Sequence, residues 1–351
     1  MCAYRSILLL AFVAQSHCFT SSAPSQFIHQ ATRINSQATS LIDERIAIDE
    51  SLEGVQKINT NPDIFIIKDF LDKKSCTELI NKATEKKMNQ SPVAYAGKTD
   101  DIKELLGLAA KGPVAWLGVL SAYFQIQSSG SSDVASLLVH AVQNYIAFFL
   151  LAAVSIFAFV QSREDGLQEL RTSTSTTLDD LSVDGTLKFV QKSADLFNPS
   201  EDKTAKAQHA QYFESPTIIR YEAGQSLAPH FDANRSAETE DANRGGQTLA
   251  TLLLYLNDVE DGGKTRFGLI PSPDDESNDS IVKDENGKLT VKPKAGDALL
   301  FFPADKNGEF DDRLEHEGTL AIDEKWIARI WRHIDRVPPP FGLSNSELLK
   351  L

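Results

Sequence analysis

The feature that most limits the fold of this chain is a run of twenty residues without a charge, AVQNYIAFFLLAAVSIFAFV, beginning at Ala141. As an α-helix it would reach ~30 Å, the thickness of a bilayer's hydrocarbon core. Tyr145 near one end and Arg163 beyond the other suit the two interfaces. The alternative reading of the same letters is a buried core helix. A second, weaker apolar stretch, Leu105 to Ile126, carries Lys111 and a Gly112–Pro113 break. A Ser/Gly-rich turn, 127–133, joins the two. Together they read as a helical hairpin, transmembrane or membrane-associated, over residues 105–160. If the chain before residue 100 packs with the chain after 165, both flanks lie on one side of the membrane. Two spans or a re-entrant hairpin allow that; a single span does not.

Outside the hairpin the composition is that of a soluble domain. The 351 residues are long enough for a sizeable core, so covalent staples are not needed. Two of the three cysteines, Cys2 and Cys18, fall in the first eighteen residues. Cys76 alone remains, which excludes disulfide scaffolds and Cys-rich zinc modules. A net charge of -14 argues against a broad nucleic-acid surface. Residues 1–18, with Arg5 ahead of the apolar run Ile7 to Ala14, read as a secretory signal peptide. The tract Phe19 to Ile42 has no Asp or Glu and is rich in Ser and Thr. It reads either as a transit-like segment or as a disordered linker, 19–55. The expected destination is the endoplasmic reticulum or Golgi membrane of the secretory pathway. The alternative is a complex plastid, reached through a bipartite presequence. In both cases residues 1 to about 55 stand outside the fold.

The flanks of the hairpin have a consistent grammar. Ile64 to Lys68 reads as a buried strand, and Ser75-Cys76-Thr77-Glu78 as a capping box opening a helix to about Lys87. Leu178 to Phe197 reads as another helix, stopped by Asn198-Pro199. From Pro216 onward come short runs rich in Ile, Leu, Val, Thr and aromatics: PTIIRYEAG, TLATLLLYLND, KLTVKP, DALLFFP and KWIARIWRH. Turns separate them, including Gly262-Gly263 and Asn286-Gly287. Strands without intervening helices point to a sandwich or jelly roll. The acidic stretch Asp274 to Glu285 reads as a solvated loop.

Within this frame one constellation carries chemistry. His230 and Asp232 are two residues apart, so an extended backbone aims both side chains to one face. A later histidine, His316, would complete a set of two histidines and one carboxylate. That set suits non-haem Fe(II) and oxygen chemistry, although zinc hydrolases use similar ligands. Lys325 follows within GTLAIDEKWIARIW. A lysine pointing into a barrel needs an anion, and the far carboxylate of a five-carbon keto diacid would serve.

The ordered motifs RYEAGQSLAPHFD, NRGGQTLATLLLYLNDVEDGGKTRF, KPKAGDALLFF and HEGTLAIDEKWIARIW resemble the catalytic domain of prolyl 4-hydroxylases. These are 2-oxoglutarate- and Fe(II)-dependent dioxygenases. PDIFIIKDFLDKKSCTELINKA with Arg171-Thr172-Ser173 looks like that family's N-terminal part, so the resemblance covers about residues 60–100 and 165–335. It implies an α+β fold: a double-stranded β-helix (jelly roll) with flanking N-terminal helices, into which the apolar hairpin is inserted. The implied divisions are 56–100 and 166–336 for the dioxygenase, 101–165 for the hairpin, and 337–351 for a tail. The resemblance implies His230, Asp232 and His316 as iron ligands and Lys325 on the 2-oxoglutarate C5 carboxylate. It puts Tyr221 and Thr265 near that cosubstrate. It puts Trp331 and His333 on the substrate side, with Arg171, Ser173 and Glu214 as further peptide contacts. The implied reactants are Fe(2+), 2-oxoglutarate, O2 and L-ascorbate, and the implied partner is a proline-containing peptide or protein.

The chain departs from the family pattern in several places. Leu227 stands where the family commonly has Tyr, His316 and Lys325 are one residue closer than usual, and Gly268 replaces a usual Pro. A related oxygenase acting on another side chain or a small molecule is one alternative. A non-catalytic jelly-roll binding module on a membrane is another.

Overall fold

The computed structural model describes residues 44–92, 106–107, 109–110, 114–130, 134–168, 170–198, 206–234, 244–273 and 278–351. The signal-peptide reading, the transit-like tract as far as residue 43, and the Gly112–Pro113 break lie outside these residues.

The fold is mixed helix and sheet, with every strand pairing antiparallel. The strands are β1 (Val55–Thr60), β2 (Asp63–Ile67), β3 (Asn89–Gln90), β4 (Thr174–Thr177), β5 (Thr217–Tyr221), β6 (Leu227–His230) and β7 (Thr248–Tyr255). They continue with β8 (Thr265–Pro271), β9 (Ile281–Lys283), β10 (Lys288–Val291), β11 (Ala298–Phe301), β12 (His316–Gly318) and β13 (Lys325–His333). A large sheet runs β1-β2-β11-β7-β13-β5-β4-β3, and a smaller one β6-β12-β8-β10-β9.

The large sheet is the middle layer, which accounts for its strand sequences. On β2, Phe65 and Ile67 join one core cluster while Ile64 and Ile66 join another. The same alternation sends Leu252 and Leu254 of β7 one way and Leu253 and Tyr255 the other. A strand buried on both faces has no polar side to show, hence the continuous TLATLLLY. One cluster lies under the helices α1 (Lys73–Glu85) and α4 (Asp184–Leu196), with Leu79 and Phe189 fully buried. The other, which includes Phe267, Leu289 and Val291, lies between the two sheets and holds the functional cavity.

Several expectations need correction. The fold takes in residues before 55: Ile48 is buried in the first cluster, and Arg45 pairs with Asp63 at 2.7 Å while facing the Phe65 and Phe302 rings. Residues 337–351 are not a free tail, because Val337, Leu343 and Leu348 are buried. The cap of α1 is Asp72, not Ser75: its carboxylate accepts from the Ser75 N–H at 2.9 Å and from the Ser75 hydroxyl at 2.8 Å. Helix α4 starts at Asp184 rather than at Leu178, and Val183 provides no side-chain cap. A carboxylate from the neighbouring helix does the work instead, since Glu78 accepts from the Gly185 N–H at 2.8 Å. Part of the acidic stretch is also structured, because Ile281–Lys283 pairs with β10.

The apolar segments form helices α2 (Val114–Ser129) and α3 (Val134–Gln168), which pack on each other. Their packing is the inverse of a soluble hairpin. Small and polar residues face inward: Ala109 and Ala122 are buried, Asn144 donates to the Ser121 hydroxyl at 3.1 Å, and a Cβ at Gly118 would lie 2.9 Å from the Tyr145 Cα. Large apolar side chains face outward, among them Leu120, Phe124, Leu138, Leu151, Val154 and Phe157. Val134–Ala158 has mean hydropathy 1.9 with none of its apolar window buried. It is the one helix among the described residues long and apolar enough to cross a membrane; the sixteen residues of α2 reach only ~24 Å. The insertion leaves and re-enters the large sheet at adjacent points. The Ser91 N–H donates to the Ser173 carbonyl at 2.9 Å, and the Ser173 hydroxyl donates to that of Ser91 at 2.9 Å. Two residues earlier in the chain, Arg171 donates to the Pro92 carbonyl at 3.2 Å.

Candidate metal centre

Register builds the centre. In the small sheet, His316 on β12 is paired directly with His230 on β6, so both imidazoles stand on one face, ring centroids 4.2 Å apart. Asp232, two residues past His230, turns its carboxylate to the same point. Its two oxygens lie 3.4 Å from His230 Nε2 and 3.6 Å from His316 Nε2. One ligand atom from each residue lies within 4.8 Å of those of the other two. Each imidazole puts Nδ1 3.0 Å from the carbonyl two residues before it, Ala228 and Leu314 respectively. This contact orients each ring with Nε2 toward Asp232. From the large sheet, the Thr251 hydroxyl donates to Asp232 Oδ2 at 2.7 Å and orients the carboxylate.

Electrostatics favour a metal-ready state. Burial works to raise the Asp232 carboxyl, but the neighbouring His316, His230 and Arg329 outweigh it and keep the group ionised. Burial, aided by repulsion from His230, pushes His316 down to about 4, so its ring is neutral at pH 7. A neutral imidazole and a carboxylate are the forms that bind a cation. Two histidines and one carboxylate, holding one face and leaving the other open, fit non-haem Fe(II).

The cavity around the triad has a volume of about 140 Å³. At one end lies Lys325, 3% exposed, on β13 opposite Tyr221 of β5. Its Nζ lies 5.3 Å from the Tyr221 ring and 5.8 Å from the Tyr255 ring, and no carboxylate pairs with it among the described residues. Burial alone drops it to about 7. The Tyr255 hydroxyl donates to Thr265 at 2.9 Å beside this end. The one-residue-shorter path from His316 to Lys325 is absorbed by a pinned turn. The Ala321 N–H donates to the Gln225 carbonyl at 2.9 Å, and that of Asp323 to the Asp261 carbonyl at 3.1 Å.

Of the residues singled out from the sequence, His230, Asp232, His316, Lys325, Tyr221, Thr265, Trp331 and Arg171 line this one cavity. Ser173, Glu214 and His333 do not. Ser173 is fully buried against Ser91, while Glu214 and His333 sit behind the wall, His333 Nε2 3.6 Å from the Glu214 carboxylate. Leu227, in the position of the family's tyrosine, lines the cavity without a hydroxyl. Sequence reading passed over Thr251, Tyr255 and Arg329. Arg329 was within reach, since alternation from Lys325 puts Ile327, Arg329 and Trp331 on the same face. Nothing in the fully buried run of β7 marks which of its threonines or its tyrosine faces the metal.

The family comparison agrees with this geometry. Residues 216–333 match the 2OG-Fe(II) oxygenase superfamily. That match covers about a third of the chain, the part that carries the triad and Lys325. Its curated relatives include the probable prolyl 4-hydroxylase 3 of Arabidopsis thaliana, 38% identical over 133 residues, 36% of this chain and 44% of that protein. The probable prolyl 4-hydroxylase 4 of the same plant is 34% identical over 197 residues, 52% of this chain and 60% of that protein. The chain thus spans about half the length of the curated relatives it matches. Among solved structures, the viral collagen prolyl hydroxylase of Paramecium Bursaria Chlorella virus-1 is 19% identical, with a TM-score of 0.40, covering 76% of this chain and 94% of that one.

Proposed function

We propose that this chain is a 2-oxoglutarate- and Fe(II)-dependent dioxygenase that hydroxylates proline in an extended peptide, its two sheets forming a double-stranded β-helix (jelly roll). The observation that carries the reading is one cavity holding both a convergent His230–Asp232–His316 set and, at its end, the buried Lys325 amine with no anionic partner among the described residues. In this reading His230, Asp232 and His316 hold the metal through two Nε2 atoms and a carboxylate oxygen, with Thr251 and the Ala228 and Leu314 carbonyls fixing their aim. Lys325 holds the distal carboxylate of 2-oxoglutarate, flanked by Tyr221, Thr265 and Tyr255. Ferrous iron, when bound, supplies the reaction with O2 that couples decarboxylation of 2-oxoglutarate to succinate and CO2 with insertion of one oxygen atom into a substrate C–H bond. The apolar walls, Ile219, Leu253 and Ile327, keep water from the reacting atoms. The relatives named above support proline as the target. L-Ascorbate belongs to the reading as the reductant that restores ferrous iron.

The outward-facing apolar surface of α2 and α3 supports insertion of the hairpin into a bilayer of the secretory pathway, or alternatively of a complex plastid. In water that surface would stay exposed, and in lipid it needs no further partner. Extraction of membranes with alkaline carbonate tests it: recovery in the soluble fraction overturns the membrane reading.

The enzymatic reading is tested by succinate release from 2-oxoglutarate across a proline-peptide panel, with and without iron. Iron-dependent release that disappears in His230→Ala, with one oxygen atom added to a proline, is the expected result. Turnover that adds oxygen to a different residue overturns the prolyl assignment, and no turnover with any substrate overturns the enzyme.

A further inference from the structure

Metal and cosubstrate account for the triad and for Lys325, but not for the rest of the β13 wall. There β13 continues its alternation with Arg329 and Trp331, both lining the cavity. Register fixes where they stand: Trp331 pairs with Thr251, the residue that hydrogen-bonds Asp232, and Arg329 pairs with Leu253. The Arg329 guanidinium carbon lies 3.4 Å from the centroid of the Trp331 ring, and the side chain is 13% exposed. Its Nε is buried without a hydrogen-bond partner, and Nη2 reaches only to 3.4 Å from Glu214. Glu214 is itself divided, with Arg244 also at 3.4 Å and His333 Nε2 at 3.6 Å. Arg171, on the same cavity, bonds to the Pro92 carbonyl and stands 3.5 Å from the Ser173 hydroxyl, with no carboxylate beside it among the described residues.

A buried guanidinium with an unused donor is costly unless an acceptor arrives. The charges say which kind. With a divalent metal and dianionic 2-oxoglutarate bound, Lys325, Arg329 and Arg171 share the cavity with the carboxylates of Asp232 and Glu317. Glu317 is already taken by Arg266 at 2.6 Å, and Glu214 behind the wall is divided between Arg329 and Arg244, so positive charge is left unanswered. A guanidinium also binds carboxylate roughly twice as strongly as a neutral carbonyl.

Resting on the dioxygenase reading, we propose that Arg329, backed by Arg171, forms an anion subsite on the substrate side of the cavity, selecting peptides with an Asp or Glu beside the target residue. The stacked Trp331 ring holds the guanidinium flat, which pre-orients its fork for a carboxylate.

The test compares short proline peptides differing only in one flanking residue, Glu, Gln or Lys, with the full-length iron-loaded protein, reading kcat/KM from succinate release. The expected order is Glu above Gln above Lys, with Glu favoured over Gln by roughly 10- to 100-fold. In Arg329→Gln the Glu preference collapses, while Arg329→Lys, which keeps the charge, retains part of it. If Arg329→Gln does not fold, the wild-type ratio and Arg329→Lys carry the test. Equal turnover of all three peptides by the wild type overturns the subsite alone, as does a Glu preference that survives Arg329→Gln. No succinate with any peptide overturns the dioxygenase reading, and the subsite with it.

Discussion

If 2-oxoglutarate binds against Lys325, its affinity must depend on pH in a defined direction. In the free protein burial holds the ammonium down to about 7, against an ordinary 10.5. A carboxylate placed beside it favours the charged form and moves its pKa back up. Below pH 7 the lysine is protonated before and after binding, so affinity is at its full value. Above pH 7 binding must first take up a proton, and affinity falls tenfold per pH unit until the pKa of the bound state is reached. From pH 7 to pH 9 the protonated fraction of the free protein drops from about one half to about one hundredth, a loss of roughly 50-fold, or ~2.3 kcal/mol. Titration calorimetry of the Mn(II)-loaded protein, in two buffers of different ionisation heat at pH 8, should show uptake of nearly one proton. Lys325→Arg, which stays charged, should flatten the pH dependence. Affinity unchanged between pH 7 and pH 9, or no proton uptake at pH 8, refutes the reasoning. The same shift bears on stability. A lysine with a depressed folded-state pKa contributes nothing above pH 10.5, where it is neutral in both states. Its cost grows as pH falls and is complete below about 7. Lys325→Met should therefore stabilise the ligand-free protein at pH 7, by on the order of 4–5 kcal/mol at most, while abolishing 2-oxoglutarate binding.

Other consequences are open to simple measurement. Thr251→Val removes the hydroxyl that orients Asp232 and should weaken metal binding by about 10- to 100-fold, read by competition with a chelating dye. Gly262 adopts φ +70° and a Cβ there would lie 2.3 Å from the Leu320 carbonyl oxygen, so Gly262→Ala should cost about 1–3 kcal/mol in urea unfolding. Phe189, fully buried beneath α1 and the large sheet, should cost about 3–5 kcal/mol on truncation to Ala.

What the sequence made legible follows from the physics of each signal. His230 and Asp232 could be read together because strand alternation is a local rule, the rule that also puts Lys325, Arg329 and Trp331 on one face; His316 and Lys325 were legible only through the order of the motifs that carry them. The pairing of His230 with His316 is a long-range register, and no local pattern encodes it. Strands β3, β6, β9 and β12 are two to four residues long and too short to display a period. The start of α4 escaped because its cap, Glu78, arrives from another helix about a hundred residues earlier. Ser173 and Glu214 carry the polarity of contact residues, yet they bond to Ser91 and to arginines behind the wall. Composition cannot distinguish a polar residue that meets a ligand from one that supports the residue that does.

The closure between Ser91 and Ser173, with Arg171 reaching Pro92, makes the hairpin a detachable module. The large sheet meets its own edge across that closure, so a short turn could replace everything between without straining β3 or β4. The cavity and the apolar hairpin are therefore separable parts of this architecture. On the proposed reading the same pocket would serve with or without a lipid surface, depending only on what is plugged into one pair of neighbouring serines.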